Sequence, residues 1–210
     1  MKKDLDAKII EAAFALAAKN GWSNTTLSHI AAEAEVPMAD VYLSMPTKSA
    51  ILAAYGQQID LKMLEASDDV DERDPARDRL FDVIMNRFDA MADDRDALRV
   101  ISQDVRYRPF ELLDLRDSML QSLRWILEAA GLDAGGARGA VRQRGLALIY
   151  ADVFATWLKD DDPGLAKTMA LLDRRLRRVE DLIRRLQSSR DRFTRPTGGR
   201  DTEDDIRTVH

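Results

Sequence analysis

The chain has 210 residues, 45% hydrophobic and 33% charged, with a net charge of −5, a globular balance with material for a real core. Cysteine is absent, which excludes disulfides, thiolate nucleophiles and cysteine-held metals and fits a reducing cytoplasm, the expected location. The two histidines, His29 and His210, and the lack of a glycine-rich phosphate loop argue against an enzyme, a metal site or a cofactor.

Helical periodicity runs through the chain without strand alternation or tandem repeats, so the expected class is all-α. A first amphipathic helix covers residues 5–19, with Ile9, Ala13, Leu16 and Ala17 on its inner stripe. It reads as a helix and not as a signal peptide. Asn20-Gly21 is a stop signal. Thr25 or Thr26 caps a second helix, LSHIAAEAEV. Pro37 opens a third, where its missing N–H is harmless, with Val41 facing the core. Thr47 caps a fourth, KSAILAAYGQQIDLKMLEA.

An acidic loop, residues 68–74, follows. Further helices are expected near 75–91, over DRDALRVISQDV, over residues 111–131 after a break at RYRPF, over 138–160 and over 164–188. No run of about 18 apolar residues exists to span a membrane. The final polar stretch, with Gly and Pro and no apolar face, reads as disordered. The expected organisation is a head over residues 1–50, a helical body over 51–188 and a tail over 189–210.

The last helix carries a clear seam. Leu165, Met169, Leu172, Leu176, Val179 and Ile183 recur at alternating steps of four and three. The helix before it offers Ile149, Val153 and Trp157 on one face. Two long apolar helices in succession predict half of a four-helix interface in a homodimer built from these residues. The competing reading packs both stripes inside one protomer. A second set, Met63, Phe81, Met85, Phe88, Met119, Leu123, Trp125, Tyr150 and Phe154, is a candidate lining for a small apolar ligand or lipid, or plain core.

The head carries a motif. Gly21 is followed by Trp22, Thr25-Thr26, Ile30-Ala31, Val36 after a turn, and Tyr-x-x-Met-Pro-x-Lys from Tyr42 to Lys48. This resembles the DNA-binding head of tetracycline-repressor (TetR) family regulators, over about the first 55 residues. The resemblance implies a helix-turn-helix head on a helical ligand-binding and dimerisation body, with operator DNA as partner. It also implies phosphate contacts from Thr25 or Thr26, Tyr42 and Lys48. His29 is a further candidate contact. Each has a structural alternative: a cap for Thr26, core closure for Tyr42, a solvated amine for Lys48.

Two departures stand out. The family's turn glycine is replaced by Glu35, and a non-glycine residue at positive φ costs about 1 kcal/mol, which predicts a looser or differently shaped turn. The third helix has no Lys or Arg from Val36 to Thr47. Met38 and Ala39 can touch only thymine methyls, and Asp40 can accept only from cytosine N4. Residues 1–55 hold five lysines against six acids, whereas a DNA-binding head is normally the basic part of its chain.

A rival resemblance lies at the other end. RQRGLALIYADVFATWLKDDDPGLAKTMALLDRRLRRVEDL is similar to the C-terminal region of the lipid-binding accessory proteins of ubiquinone synthesis. Those share the fold without DNA binding, which implies an apolar cavity and a membrane-touching helix.

Overall fold

The computed structural model describes residues 2–71 and 73–194, and of Ile183 and residues 186–194 it describes the backbone alone. All the regular structure among the described residues is helical. The order is α1 (Lys2–Asn20), α2 (Leu27–Glu33), α3 (Met38–Ser44), α4 (Lys48–Ala66), α5 (Ala76–Ala90), a short 3-10 turn (Ala92–Asp94), α6 (Arg95–Val105), α7 (Pro109–Ala129), α8 (Gly136–Trp157) and α9 (Ala166–Thr194). The last helix thus runs six residues past the expected start of the tail, and residues 195–210 lie outside the described residues. This is a TetR-like fold.

The head is built by local rules. Ile9, Ala13, Leu16 and Ala17 of α1 are buried. Gly21 ends the helix at φ +84°, its N–H donating to Ala17 O at 2.9 Å. Thr26 is the cap of α2, its Oγ1 accepting from His29 N at 3.2 Å. The turn between α2 and α3 is not loose. Glu35 sits at φ +54°, Val36 N donates to Ala31 O at 3.0 Å and Glu35 N donates to Ala32 O at 3.2 Å. These two bonds form the glycine-type helix ending with a glutamate in the glycine's place. Pro37 O then accepts from Asp40 N and Val41 N, and Val41 is buried. Thr47 Oγ1 accepts from Ala50 N at 3.0 Å and opens α4.

Helix α4 joins head to body. Ile51, Tyr55, Ile59 and Met63, four residues apart, are buried on one face. The helix packs on α1, α5 and α7. Tyr55 packs against Phe14 at a tilt of 37°, ring centroids 4.3 Å apart, and its hydroxyl donates to Asp94 at 2.9 Å. One turn further along, Asp60 is buried and paired with the buried Arg87 of α5. Ser122 of α7 donates to Asp60 Oδ2 at 2.7 Å, and Arg87 Nε donates to the Tyr150 hydroxyl of α8 at 3.0 Å. Four helices therefore meet on one polar cluster.

Behind that cluster Phe88, Tyr150, Phe154 and Trp157 stack ring on ring, centroids 5.3–6.0 Å apart. Arg95 lies over Trp157 and donates to Asp160 O at 2.8 Å, and Arg99 donates to Leu158 O at 2.7 Å. Both arginines thus satisfy carbonyls where α8 ends. Asp160 is buried and accepts from Thr168 N at 2.9 Å and Thr168 Oγ1 at 2.7 Å, which fixes the entry into α9. Between α7 and α8 the chain reverses tightly. Gly131 takes φ +65°, and a Cβ at Gly139 would lie 2.1 Å from the backbone of Ala134.

Removing one partner of a buried pair leaves an uncompensated charge, at about 3–5 kcal/mol. Arg87→Met should lower stability in urea titration by that amount, and the Asp60→Asn/Arg87→Met double variant should recover part of it. At Glu35, glycine removes about 1 kcal/mol of strain but adds roughly half of that back through its freer unfolded chain. Glu35→Gly should therefore raise unfolding stability by about 0.5 kcal/mol, while the β-branched Glu35→Val lowers it.

Candidate nucleic-acid interface

Helix α3 stands clear of the core on one side. Its Val41 is buried, while Met38 is 48% exposed, Tyr42 70% and Leu43 79%. Ala39 is exposed and Asp40 half-buried. Of the two readings of Tyr42, core closure is excluded by this exposure. The face presented is apolar with one carboxylate, and Glu33 and Glu35 are exposed beside it. Between Lys19 and Lys48 the sequence holds no Lys or Arg. Leu43 is the residue sequence reasoning overlooked, and its signal was its place one residue after Tyr42 on a helix too short to bury both.

The other candidates are placed unevenly. Thr26 and His29 are exposed, but the Thr26 hydroxyl is shared between His29 N and the Ser28 hydroxyl at 2.9 Å. Thr25 is buried and donates to Gly21 O at 2.9 Å, so its hydroxyl braces the loop after α1 and does not face solvent. Lys48 is half-buried. Its ammonium donates to Trp22 O and lies 4.3 Å from the centroid of the buried Trp22 ring. Burial holds its pKa below the usual lysine range, Arg108 adding to that effect while Glu111 and Asp104 oppose it. Lys48 is neither a solvated amine nor an open phosphate donor in this conformation.

The expected interface stripes lie elsewhere in the fold. Ile149, Val153 and Trp157 are buried in their own chain, as are Leu165, Leu172 and Leu176. The seam of α9 packs on α8 and α5 of the same protomer, pinned by Arg175 to Asp152 at 2.6 Å. Met169 and Val179 are exposed, and the Ile183 side chain lies outside the described residues. The outward stripe of α8 is instead Val141, Gly145, Leu148, Ala151 and Ala155, with Leu148 77% exposed. Steps of four, three, three and four carried that signal, weakened by the small residues.

The expected ligand lining does not gather round one space. Met63, Phe88 and Leu123 are core, while Phe81, Met85, Tyr150 and Phe154 are half-buried against it. Met119 and Trp125 lie outside. Trp125 borders an open groove of about 680 Å³ between α7 and α8, together with Leu120, Gln121, Arg124 and Gln143.

The family described as bacterial regulatory proteins, tetR family, matches residues 9–55, and the COQ9 family matches residues 142–183. Among solved structures, the chain is similar to a TetR transcriptional regulator from Nitrosomonas europaea. There the identity is 24%, the TM-score 0.65, and the match covers 81% of this chain and 95% of that one. For a TetR transcriptional regulator from Rhodococcus sp. RHA1 the identity is 16%, the TM-score 0.62, and coverage 83% and 94%. For the transcriptional regulator FadR from Bacillus subtilis, in complex with stearoyl-CoA, they are 22%, 0.52, 81% and 95%. No curated protein matches the chain in sequence.

The buried and exposed head residues should separate in thermal unfolding. Thr25→Val strands the Gly21 carbonyl and should cost about 1–2 kcal/mol. Tyr42→Ala and Leu43→Ala, on the exposed face of α3, should stay within about 0.5 kcal/mol of the parent.

Proposed function

We propose that the protein is a DNA-binding transcriptional regulator of the TetR type. Its two heads occupy an operator, and a small apolar ligand in the body alters their spacing. The observation that carries this reading is α3. Its inner residue Val41 is locked in the core by a tight helix-turn-helix, while Met38, Ala39, Tyr42 and Leu43 project from one side. That is the arrangement of a helix that enters a major groove. Its chemistry restricts what it reads: methyl and aryl groups against thymine methyls, and Asp40 against cytosine N4. Phosphate contacts are few, from Lys2, Lys3 and Lys19 on α1, from Tyr42, and from Lys48 once it leaves Trp22.

A homodimer supports two such helices one turn of DNA apart. The outward stripe of α8, from Val141 through Gly145 and Leu148 to Ala155, is the proposed contact. Its small residues let helices approach closely, and a Cβ at Gly145 would meet open space. For the ligand, the half-buried Phe81 and Met85 are the side chains that give way around an apolar molecule, the thioether being the more adaptable of the two.

A second reading has its own support. The COQ9 match falls on the region similar to lipid-binding accessory proteins of ubiquinone synthesis, and an α3 without Lys or Arg suits a protein that has left DNA. Under it, the body holds a lipid and α3 has no duplex partner.

Both readings meet in a gel shift over a salt series, using duplexes enriched from a random-sequence pool. The regulator should bind competitor-resistant duplex with affinity falling as a low power of salt, about 0.9 per phosphate neutralised. With at most the four lysines Lys2, Lys3, Lys19 and Lys48 per head to neutralise phosphate, affinity drops less steeply than for a basic repressor. Absence of any retained duplex, with lipid carried by the purified protein in native mass spectra, would decide for the second reading.

A further inference from the structure

The peptide group joining Trp22 and Ser23 is gripped from both sides by opposite charges. Its carbonyl accepts from the Lys48 ammonium, and its N–H donates to Asp104 Oδ2 at 2.7 Å. Lys48 opens α4 beside the head, whereas Asp104 belongs to α6 in the body, 81 residues from Ser23. The same ammonium covers the Trp22 ring. An anion pulling on the N–H makes the carbonyl a better acceptor, and a cation on the carbonyl makes the N–H a better donor. The two bonds are therefore mutually strengthening. Glu111 and Arg108, where α7 begins, are the other charged groups acting on Lys48. Ser23 is exposed and Lys48 half-buried, so an anion can approach the junction from solvent.

We propose that this single peptide group couples body to head, with Lys48 a phosphate ligand held in reserve. The anion's identity rests on the DNA-binding reading above, but the coupling itself does not. A duplex phosphate near the start of α4 draws the ammonium off Trp22 O, and the hold of Asp104 on Ser23 weakens. In the reverse direction, a shift of α6 that withdraws Asp104 loosens the Lys48 bond and frees the ammonium for phosphate. Linkage makes the two effects equal in size. The latched form is the low-affinity form, and the body sets DNA affinity by where it holds Asp104.

The test is amide hydrogen exchange at Ser23 in the full chain without DNA, for the parent, Lys48→Gln, Asp104→Asn and the double variant. Lys48→Gln should speed Ser23 exchange about tenfold although Lys48 does not touch that N–H, as expected for loss of a charge-assisted partner bond. The double variant should exchange no faster than Asp104→Asn alone. Amides in the middle of α1 serve as the folding control and should not change. If Lys48→Gln leaves Ser23 protected while Asp104→Asn exposes it, the bonds are independent and the proposal fails. A second arm measures binding to an enriched duplex. Asp104→Asn should bind several-fold tighter than the parent, and adding Lys48→Gln should cancel the gain. Equal affinities of parent and Asp104→Asn would overturn the latch. If no variant binds any duplex, the regulator reading fails, and the exchange result still decides the coupling.

Discussion

The paired charges of Asp60 and Arg87 sit where four helices converge, and the rest of the architecture takes its register from them. A buried pair of this kind is a poor source of stability, because the desolvation of both groups offsets most of their attraction. What it supplies is position. Asp60 must meet Arg87 and Ser122 together, and Arg87 must also reach the Tyr150 hydroxyl. Few rotations or translations of α4 satisfy all of these. Since α4 begins with Lys48 beside the head, the head's placement is inherited from a polar contact three turns away.

On the regulator reading, the head sets two requirements of DNA recognition against each other. Shape is supplied in full: caps, a tight turn, a locked Val41 and an open outer face. Charge is not, and the cation best placed to help is turned back onto Trp22. A protein of this kind gains little from counterion release and little from long-range steering. Contact between groove and helix then has to provide the discrimination, which favours a slow and selective encounter over a fast, promiscuous one.

What could be read in the chain beforehand follows a physical line. Gly21, Thr26, Thr47 and Pro37 act within a few residues of themselves, and helix ends were legible from them to within a few positions. Periodicity in α8 and α9 reported that Ile149, Val153, Leu172 and Leu176 are buried, but a stripe does not say what buries it, and the partner proved to lie within the same chain. The outward stripe through Gly145 was faint because its small residues scarcely raise local hydrophobicity. Lys48 and Asp104 were opaque for a different reason. Their roles depend on the Trp22–Ser23 peptide, and no spacing along the sequence reports a contact over 26 or 81 residues. Asp60 likewise resembles a solvated acid until Arg87, 27 residues on, is folded against it. At Glu35 the sequence rule for the turn was right and its inferred consequence was not. The backbone adopts the glycine conformation and carries the strain locally.

The closeness of Gly139 to Ala134 bears on where this molecule can be altered. With 2.1 Å left for a Cβ, the reversal between α7 and α8 is seated on the helix it introduces, so its length and path are tied to that helix's rotation. An added or deleted residue there would be felt along the whole of α8, including its outward stripe. The acidic link between α4 and α5 is tied at its two ends, by Asn86 on Ala66 O and Ser67 Oγ and by Arg79 on Asp74 O, while Asp68, Asp69, Asp71 and Arg73 between them are exposed. Drift in chain length during descent, or the grafting of a tag or a second module, has room in that link and none at the α7–α8 reversal.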